Sequence, residues 1–142
     1  MAMGTVTATN VATGAVEEVK YIETKTMSEI YSAATTTALA ITDTIVGPSL
    51  PAGTFLWDVV VDWTDVDSAA SFTWTAGISG TLAKFISTST VGRAAGIAHM
   101  NVGGNLGYSP AADTPVLVTI TATAGTPVAG TCRISLIYTA SP

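Results

Sequence analysis

From Phe55 to Thr64 the chain alternates with a period of two. Phe55, Trp57, Val59, Val61 and Trp63 fall on one side, and Leu56, Asp58, Val60, Asp62 and Thr64 on the other. A helix would scatter these sets around its circumference, whereas a strand sends alternate side chains to opposite faces and gathers each set on one. The stretch therefore predicts a strand with an apolar face. Three further segments repeat the pattern. Phe72, Trp74, Ala76 and Ile78 alternate with Ser71, Thr73, Thr75 and Gly77, which predicts a half-buried strand with a wet hydroxyl face. Val116, Val118, Ile120 and Ala122 alternate with Leu117, Thr119, Thr121 and Thr123, and Cys132, Ile134, Leu136 and Tyr138 with Thr131, Arg133, Ser135 and Ile137. Residues Ala124 to Gly130 between them are dense in turn formers, so the last two strands read as a long β-hairpin with a broad loop.

Composition agrees with this reading. The 142 residues include 25 threonines, which favour strands, and few of the straight-chain polar residues that favour helices. Weaker strands are expected at Val16 to Glu23, Glu29 to Thr35, Leu39 to Val46, Leu82 to Ser87 and Gly96 to Met100. Turn residues separate them at Gly47 to Gly53, Asp65 to Ser68, Gly103 to Asn105 and Ser109 to Asp113. Short strands at this spacing define an all-β fold, an antiparallel sandwich or barrel. Residues 1–27 carry Glu17, Glu18 and Glu23 and no aromatic but Tyr21, so they read as an N-terminal arm or a strand lent to a neighbour, with the sandwich domain over 28–142.

Charge narrows the functional classes. Five Lys and Arg stand against ten Asp and Glu, with no basic run, so the chain lacks the clustered cations that neutralise phosphates and nucleic acid is not an expected partner. The apolar stretch around Trp57 is broken by Asp58 and Asp62, and no membrane-spanning helix is expected. The first twenty residues lack a basic start followed by an apolar segment, so synthesis as a soluble intracellular product is expected. The single cysteine, Cys132, lies in an alternating apolar stretch and reads as a small buried hydrophobe.

The search for chemistry ends without a catalytic set. His99 is the only histidine, and the nearest approach to a nucleophile elbow, Gly77-Ile78-Ser79-Gly80, lacks the required spacing. His99 reads instead as a hydrogen-bonding group at a strand end or subunit contact. Asp58, Asp62, Asp65 and Asp67 form the densest charge cluster, and oxygen ligands so close together could hold Ca²⁺. The spacing is not that of an EF-hand loop, and the strand pattern points Asp58 and Asp62 to solvent and places Asp65 and Asp67 in Asx turns. By pattern the cluster is too exposed for shifted carboxyl pKa values. Trp57, Trp63 and Trp74 could form a carbohydrate platform, but their shared faces favour core packing. No catalytic residue, cofactor or metal ligand is assigned.

Charged residues are only 11% of the chain against 48% hydrophobic, less than half the usual charged share of about 25%. At about 25 cal/mol per Å² of apolar surface, a contact covering ~800 Å² on each partner brings substantial association energy before entropic costs. A homo-oligomer or a docked subunit is expected.

The segment from Leu39 to Tyr138 resembles small tailed-phage virion proteins. The resemblance is carried by Leu50-Pro51-Ala52-Gly53-Thr54 leading into Asp58-Val59-Val60-Val61-Asp62, by Thr73-Trp74-Thr75-Ala76-Gly77-Ile78, and by the closing Gly130 to Tyr138 stretch. It implies a jelly-roll-like β-sandwich with an extended N-terminal arm. It also implies a capsid decoration or cement role at the virion surface after synthesis in the host cytoplasm, the major capsid protein as partner, and a trimer or dimer. Partner contacts are then expected in the arm, at Glu17, Val19, Tyr21, Ile22 and Ile30, because an extended segment can add a strand to a neighbour's sheet. Arg93, His99 and Tyr108 in the glycine-rich loop are the second choice. The alternative is a head-fibre or tail receptor-binding module contacting host glycans, which would gain from His99, Tyr108 or a tryptophan exposed on a concave face.

Overall fold

The computed structural model describes residues 5–9, 16–20, 24–33, 39–103 and 105–139, and every regular element among them is a strand. In chain order these are β1 (Thr5–Thr9), β2 (Val16–Lys20), β3 (Thr24–Ala33), β4 (Thr44–Leu50), β5 (Phe55–Trp63), β6 (Thr73–Ile78), β7 (Thr81–Ser89), β8 (Gly96–His99), β9 (Thr114–Ala122) and β10 (Gly130–Thr139). β1 pairs with β2, and the other eight form two antiparallel four-stranded sheets ordered β3-β10-β5-β8 and β4-β9-β6-β7. From β3 onward, each consecutive strand changes sheet except β6 to β7, and the first and last of the eight are neighbours. That order is a jelly roll. The Asp65 to Ser68 and Ser109 to Asp113 turns fall outside strands as expected, and Gly104 lies outside the described residues.

The two inner faces meet in one core. Leu56, Val59, Val61 and Trp63 of β5 and Cys132, Ile134 and Leu136 of β10 face Trp74, Ala76, Val116, Val118 and Ile120 of the other sheet. The Trp63 ring meets Phe72 edge-on at a centroid distance of 5.1 Å and lies 6.0 Å from Trp74. Edge-to-face packing of this kind sets the positive ring edge against the negative ring face. The Trp74 indole N–H donates to the Val91 carbonyl at 2.6 Å, so its polar group is satisfied inside the core. The Cys132 thiol is buried, and burial pushes its pKa up, with nearby Asp62 adding in the same direction.

Four sequence expectations about the strands need correction. The strict alternation of β5 breaks at its start. Leu56 pairs with Tyr138 and Asp58 with Ile137, so Trp57 is an extra residue in a β-bulge. Leu56 takes the buried place and Trp57 is turned outward, 43% exposed.

The expected hairpin between the last two alternating segments does not form. β9 pairs with β4 and β6, while β10 pairs with β3 and β5, in the opposite sheet. Two strands that each carry one apolar face can pair edge to edge or stack face to face, and alternation does not distinguish the two. Here they stack, and the Gly- and Pro-rich linker crosses the end of the sandwich.

The turn expected over Gly47 to Gly53 starts late, because β4 continues to Leu50. A Cβ on Gly47 would meet Ile134 Cγ2 at 2.9 Å and the Val116 carbonyl oxygen at 3.0 Å, so the glycine serves close packing there. Pro48 is tolerated because β4 is an end strand with a register irregularity between Val46 and Ser49. The hydroxyl face of β6 is drier than expected, since this strand lies inside its sheet and Thr75 and its cross-strand neighbour Thr119 are buried. Gly77-Ile78-Ser79-Gly80 becomes the end of β6 and its turn into β7, where Gly80 supplies a φ of +82°.

Candidate functional site

Trp57 lines a surface cleft of about 380 Å³, formed where β5, the end of β8 and the loop after β8 come together. Its indole N–H donates to Thr139 Oγ1 at 2.9 Å, which fixes the ring plane against the sandwich. β8 pairs antiparallel with β5, setting His99 opposite Val60. Asp58, two residues from Val60 on the same strand, then lies diagonal to His99, and His99 Nδ1 and Asp58 Oδ2 are 2.7 Å apart. The other carboxylate oxygen of Asp58 accepts from the Met100 backbone N–H at 3.1 Å. The pair lies in the rim, with 63% of the His99 side chain and 26% of the Asp58 side chain exposed.

The loop after β8 completes the cleft. The Asn101 side-chain oxygen accepts from Ser87 N at 2.9 Å and Ser87 Oγ at 3.3 Å, and the Leu56 backbone exchanges hydrogen bonds with Gly107 and Tyr108. These ties bring Leu106, itself 65% exposed, onto the wall of the cleft with Trp57. Among the described residues, no lysine or arginine lines it.

The other expected contact residues are dispersed. Glu17 and Val19 lie on β2, opposite Ala8 and Val6 of β1, while Tyr21 and Ile22 fall outside the described residues. Ile30 is on β3, an end strand, and is 59% exposed. Cross-strand pairing puts Ile97, Asp62, Arg133 and Ile30 in one row across the outer face of that sheet. Arg93 is half-buried, and its Nε donates to the Phe72 carbonyl at 2.8 Å. Tyr108 is half-buried against Phe85, with the Lys84 ammonium 4.6 Å from its ring centroid. Among the described residues of this set, only His99 lines the cleft.

The acidic cluster splits by role. Asp65 closes an Asx turn by accepting from the Asp67 backbone N–H at 3.1 Å, as expected. Asp67 does not fit the expectation of an exposed carboxylate: it is fully buried and accepts from the backbone N–H groups of Ala69, Ser71, Phe72 and Thr126 and from Ser71 Oγ. Burial pushes its pKa up, but the four backbone donors outweigh that and hold the carboxyl well below its ordinary range. The donor from Thr126 ties the β9–β10 crossover to the β5–β6 connection, so this carboxylate is a structural clamp. Among the described residues, no group of three His, Cys, Asp or Glu is placed to hold a metal ion, and no helix is long and apolar enough to cross a membrane.

Sequence reasoning missed Trp57, Asn101 and Leu106 as surface groups. The available signal was Phe55-Leu56-Trp57, three consecutive large apolar residues that cannot all face one core from a regular strand.

No protein-family model matches the chain, and no curated protein matches its sequence. Solved structures do match its fold. A chain of the cyanophage Pam1 capsid asymmetric unit superposes with a TM-score of 0.76 at 21% identity, covering 94% of this chain and 98% of that one. The capsid of Ralstonia phage GP4 contains a match with a TM-score of 0.69 at 21% identity over 86% of each chain. The acid-stable capsid of Helicobacter pylori bacteriophage KHP30 contains one with a TM-score of 0.55 at 10% identity, covering 84% of this chain and 95% of that one. The jelly-roll sandwich expected from the sequence resemblance is therefore a fold this protein shares with chains in three phage capsid structures.

Proposed function

We propose that this protein is a structural component of a phage virion, a decoration or cement protein that binds the major capsid protein at the outer surface of the assembled head and stabilises it as an oligomer. The observation that carries the reading is the likeness of almost the whole chain to a chain of a capsid asymmetric unit, 94% of one against 98% of the other. The mechanism is mass action: a subunit that binds the assembled shell and not its free parts shifts the equilibrium toward the shell, and several contacts per copy multiply the effect. Contacts are assigned to β2, with Glu17 and Val19, to Tyr21 and Ile22 after it, and to the outward Ile30 on the end strand β3. No step of this role requires catalysis or a cofactor. The test is rebinding of purified protein to capsids stripped of it, followed by a thermal release assay of packaged DNA. Saturable, stoichiometric binding that raises the release temperature is expected; absence of binding to the cognate capsid refutes the role.

A second reading, a receptor-binding module on a head fibre or tail, is favoured by one observation. An exposed tryptophan and the exposed His99 lie together on a concave surface.

A further inference from the structure

We propose that the Trp57 cleft is a binding site for a neutral saccharide, with the indole as its stacking platform and Asn101, His99 and Asp58 as its hydrogen-bonding rim. The inference deepens the second reading above and rests on it for its biological setting, while the binding chemistry stands on the cleft alone.

The argument starts from the bulge. Regular pairing would bury Trp57 on the same face as Val59, Val61 and Trp63; instead the extra residue breaks the ladder with β10 and puts a large aromatic in water. Bulges that re-aim a side chain concentrate beside functional sites, and an exposed aromatic gives the fold itself little in return. The ring is also held still. Its N–H is bonded to Thr139 Oγ1, so one face is presented without the entropic cost of ordering a free side chain on binding.

The rim defines the ligand. His99 Nδ1 is engaged by the Asp58 carboxylate, which accepts, so Nδ1 is the donor; in the neutral ring Nε2 is then an acceptor with no partner among the described residues. The Asn101 oxygen is taken by Ser87, so its NH₂ remains as a donor, likewise without a partner among the described residues. The Asp58 oxygens, each holding one donor, retain lone pairs. A matching ligand must offer an apolar face to an indole and, around its edge, groups that both donate and accept. A pyranose ring does this, with C–H groups on its faces and hydroxyls on its perimeter. Among the described residues the cleft has no lysine or arginine to pair with an anion, and it carries a carboxylate, so a neutral sugar fits better than a sialylated or uronic one. A shallow open cleft suits a sugar ring lying against one wall better than a small apolar ligand, which needs enclosure.

The experiment uses the full chain on a printed array of defined bacterial-surface and mammalian oligosaccharides, followed by titration of soluble maltose, lactose, mannobiose and chitobiose, with sialyllactose as the anionic member. Trp63 and Trp74 are buried, so the exposed Trp57 is the indole whose fluorescence reports the cleft. A saturable fluorescence change with a neutral sugar is expected for the wild type, and calorimetric titration, which needs no indole reporter, should show the affinity weakened about tenfold or more by Trp57→Ala and about threefold to tenfold by Asn101→Ala. Trp57→Phe keeps a stacking face and should retain part of the affinity. Binding to stripped capsids is measured in parallel for all three variants and should be unchanged. The proposal is overturned if no saccharide binds, if binding survives Trp57→Ala in a folded protein, or if only anionic sugars bind. Loss of capsid binding in Trp57→Ala without any sugar binding also overturns it, making the cleft a protein-docking surface. If sugar binds in the cleft but the protein does not adhere to host cells, the receptor reading fails and the site assignment stands.

Discussion

Replacing Asp67 with Asn isolates the clamp at the end of the sandwich. One carboxylate oxygen accepts from Ser71 N and Phe72 N, both at 2.7 Å, and from Ser71 Oγ; the other accepts from Ala69 N at 2.9 Å and Thr126 N at 3.1 Å. An asparagine of the same shape can keep only one oxygen. In its better orientation it keeps the Ser71 and Phe72 donors and turns an NH₂ group toward the donors of Ala69 and Thr126. Two hydrogen bonds to a charged acceptor are lost, at roughly 1.5–3 kcal/mol each, and some of this is recovered because Ala69 and Thr126 border solvent. The expected destabilisation is about 3–5 kcal/mol at pH 7, a large part of the roughly 5–15 kcal/mol typical of a domain. For a chain of this length that corresponds to a melting temperature lower by about 10–15 °C.

The pH dependence gives a second test of the same clamp. Because the folded-state pKa of Asp67 lies below the ordinary 3.8, its contribution is fully present above that value and is lost as pH falls toward the folded pKa. The gap between wild type and Asp67→Asn should therefore be constant from pH 7 to about 5. It should narrow below about pH 4, at up to about 1.4 kcal/mol per unit. Urea titrations followed by tryptophan fluorescence at a series of pH values measure both quantities. A variant melting within about 3 °C of wild type at pH 7, or a gap that widens in acid, would refute the clamp.

Three further outcomes are expected. Leu136→Ala, in the fully buried centre of β10, should cost about 2–5 kcal/mol by denaturant titration, whereas Trp57→Ala on the surface should cost less than about 1 kcal/mol; the opposite order would mean the bulge is misplaced. Gly47→Ala should destabilise by about 1–3 kcal/mol, since its methyl group meets Ile134 and the Val116 carbonyl, and an unchanged melting temperature would contradict that packing. The Cys132 thiol, buried and with its pKa raised, should react with a thiol reagent at pH 8 only on unfolding, so stoichiometric labelling of the native protein would show that β10 is not covered as described.

The strands were legible wherever one face is dry and the other wet. β5 through Val59, Val61 and Trp63, β9 and β10 all carry their burial in their alternation, because that pattern directly records which side meets the core. What alternation cannot record is which strand lies alongside. β9 and β10 looked like partners because they are adjacent in sequence and separated by turn residues, yet the same residues serve equally well to cross between sheets. The clamp was hidden for a different reason: Asp67 lies in a turn, where acids are ordinarily solvated, and its donors come from positions as far away as Thr126. The cleft was half visible. His99 stood out by its rarity, whereas Trp57 was assigned to the core because a one-residue bulge leaves no mark in a hydrophobic pattern beyond a crowded start.

The adjacency of β3 and β10 also governs how the molecule can be made. Gly130 opposes Ala33 and Thr139 opposes Thr24, so a strand that lies between two others in its sheet is the last of the described strands to be synthesised. Until then β3 and β5 have no common partner, and the sheet they share cannot close. Closure of that sheet thus waits until β10 has been made, and nascent copies pass through an interval in which two strand edges stand open to the wrong neighbours.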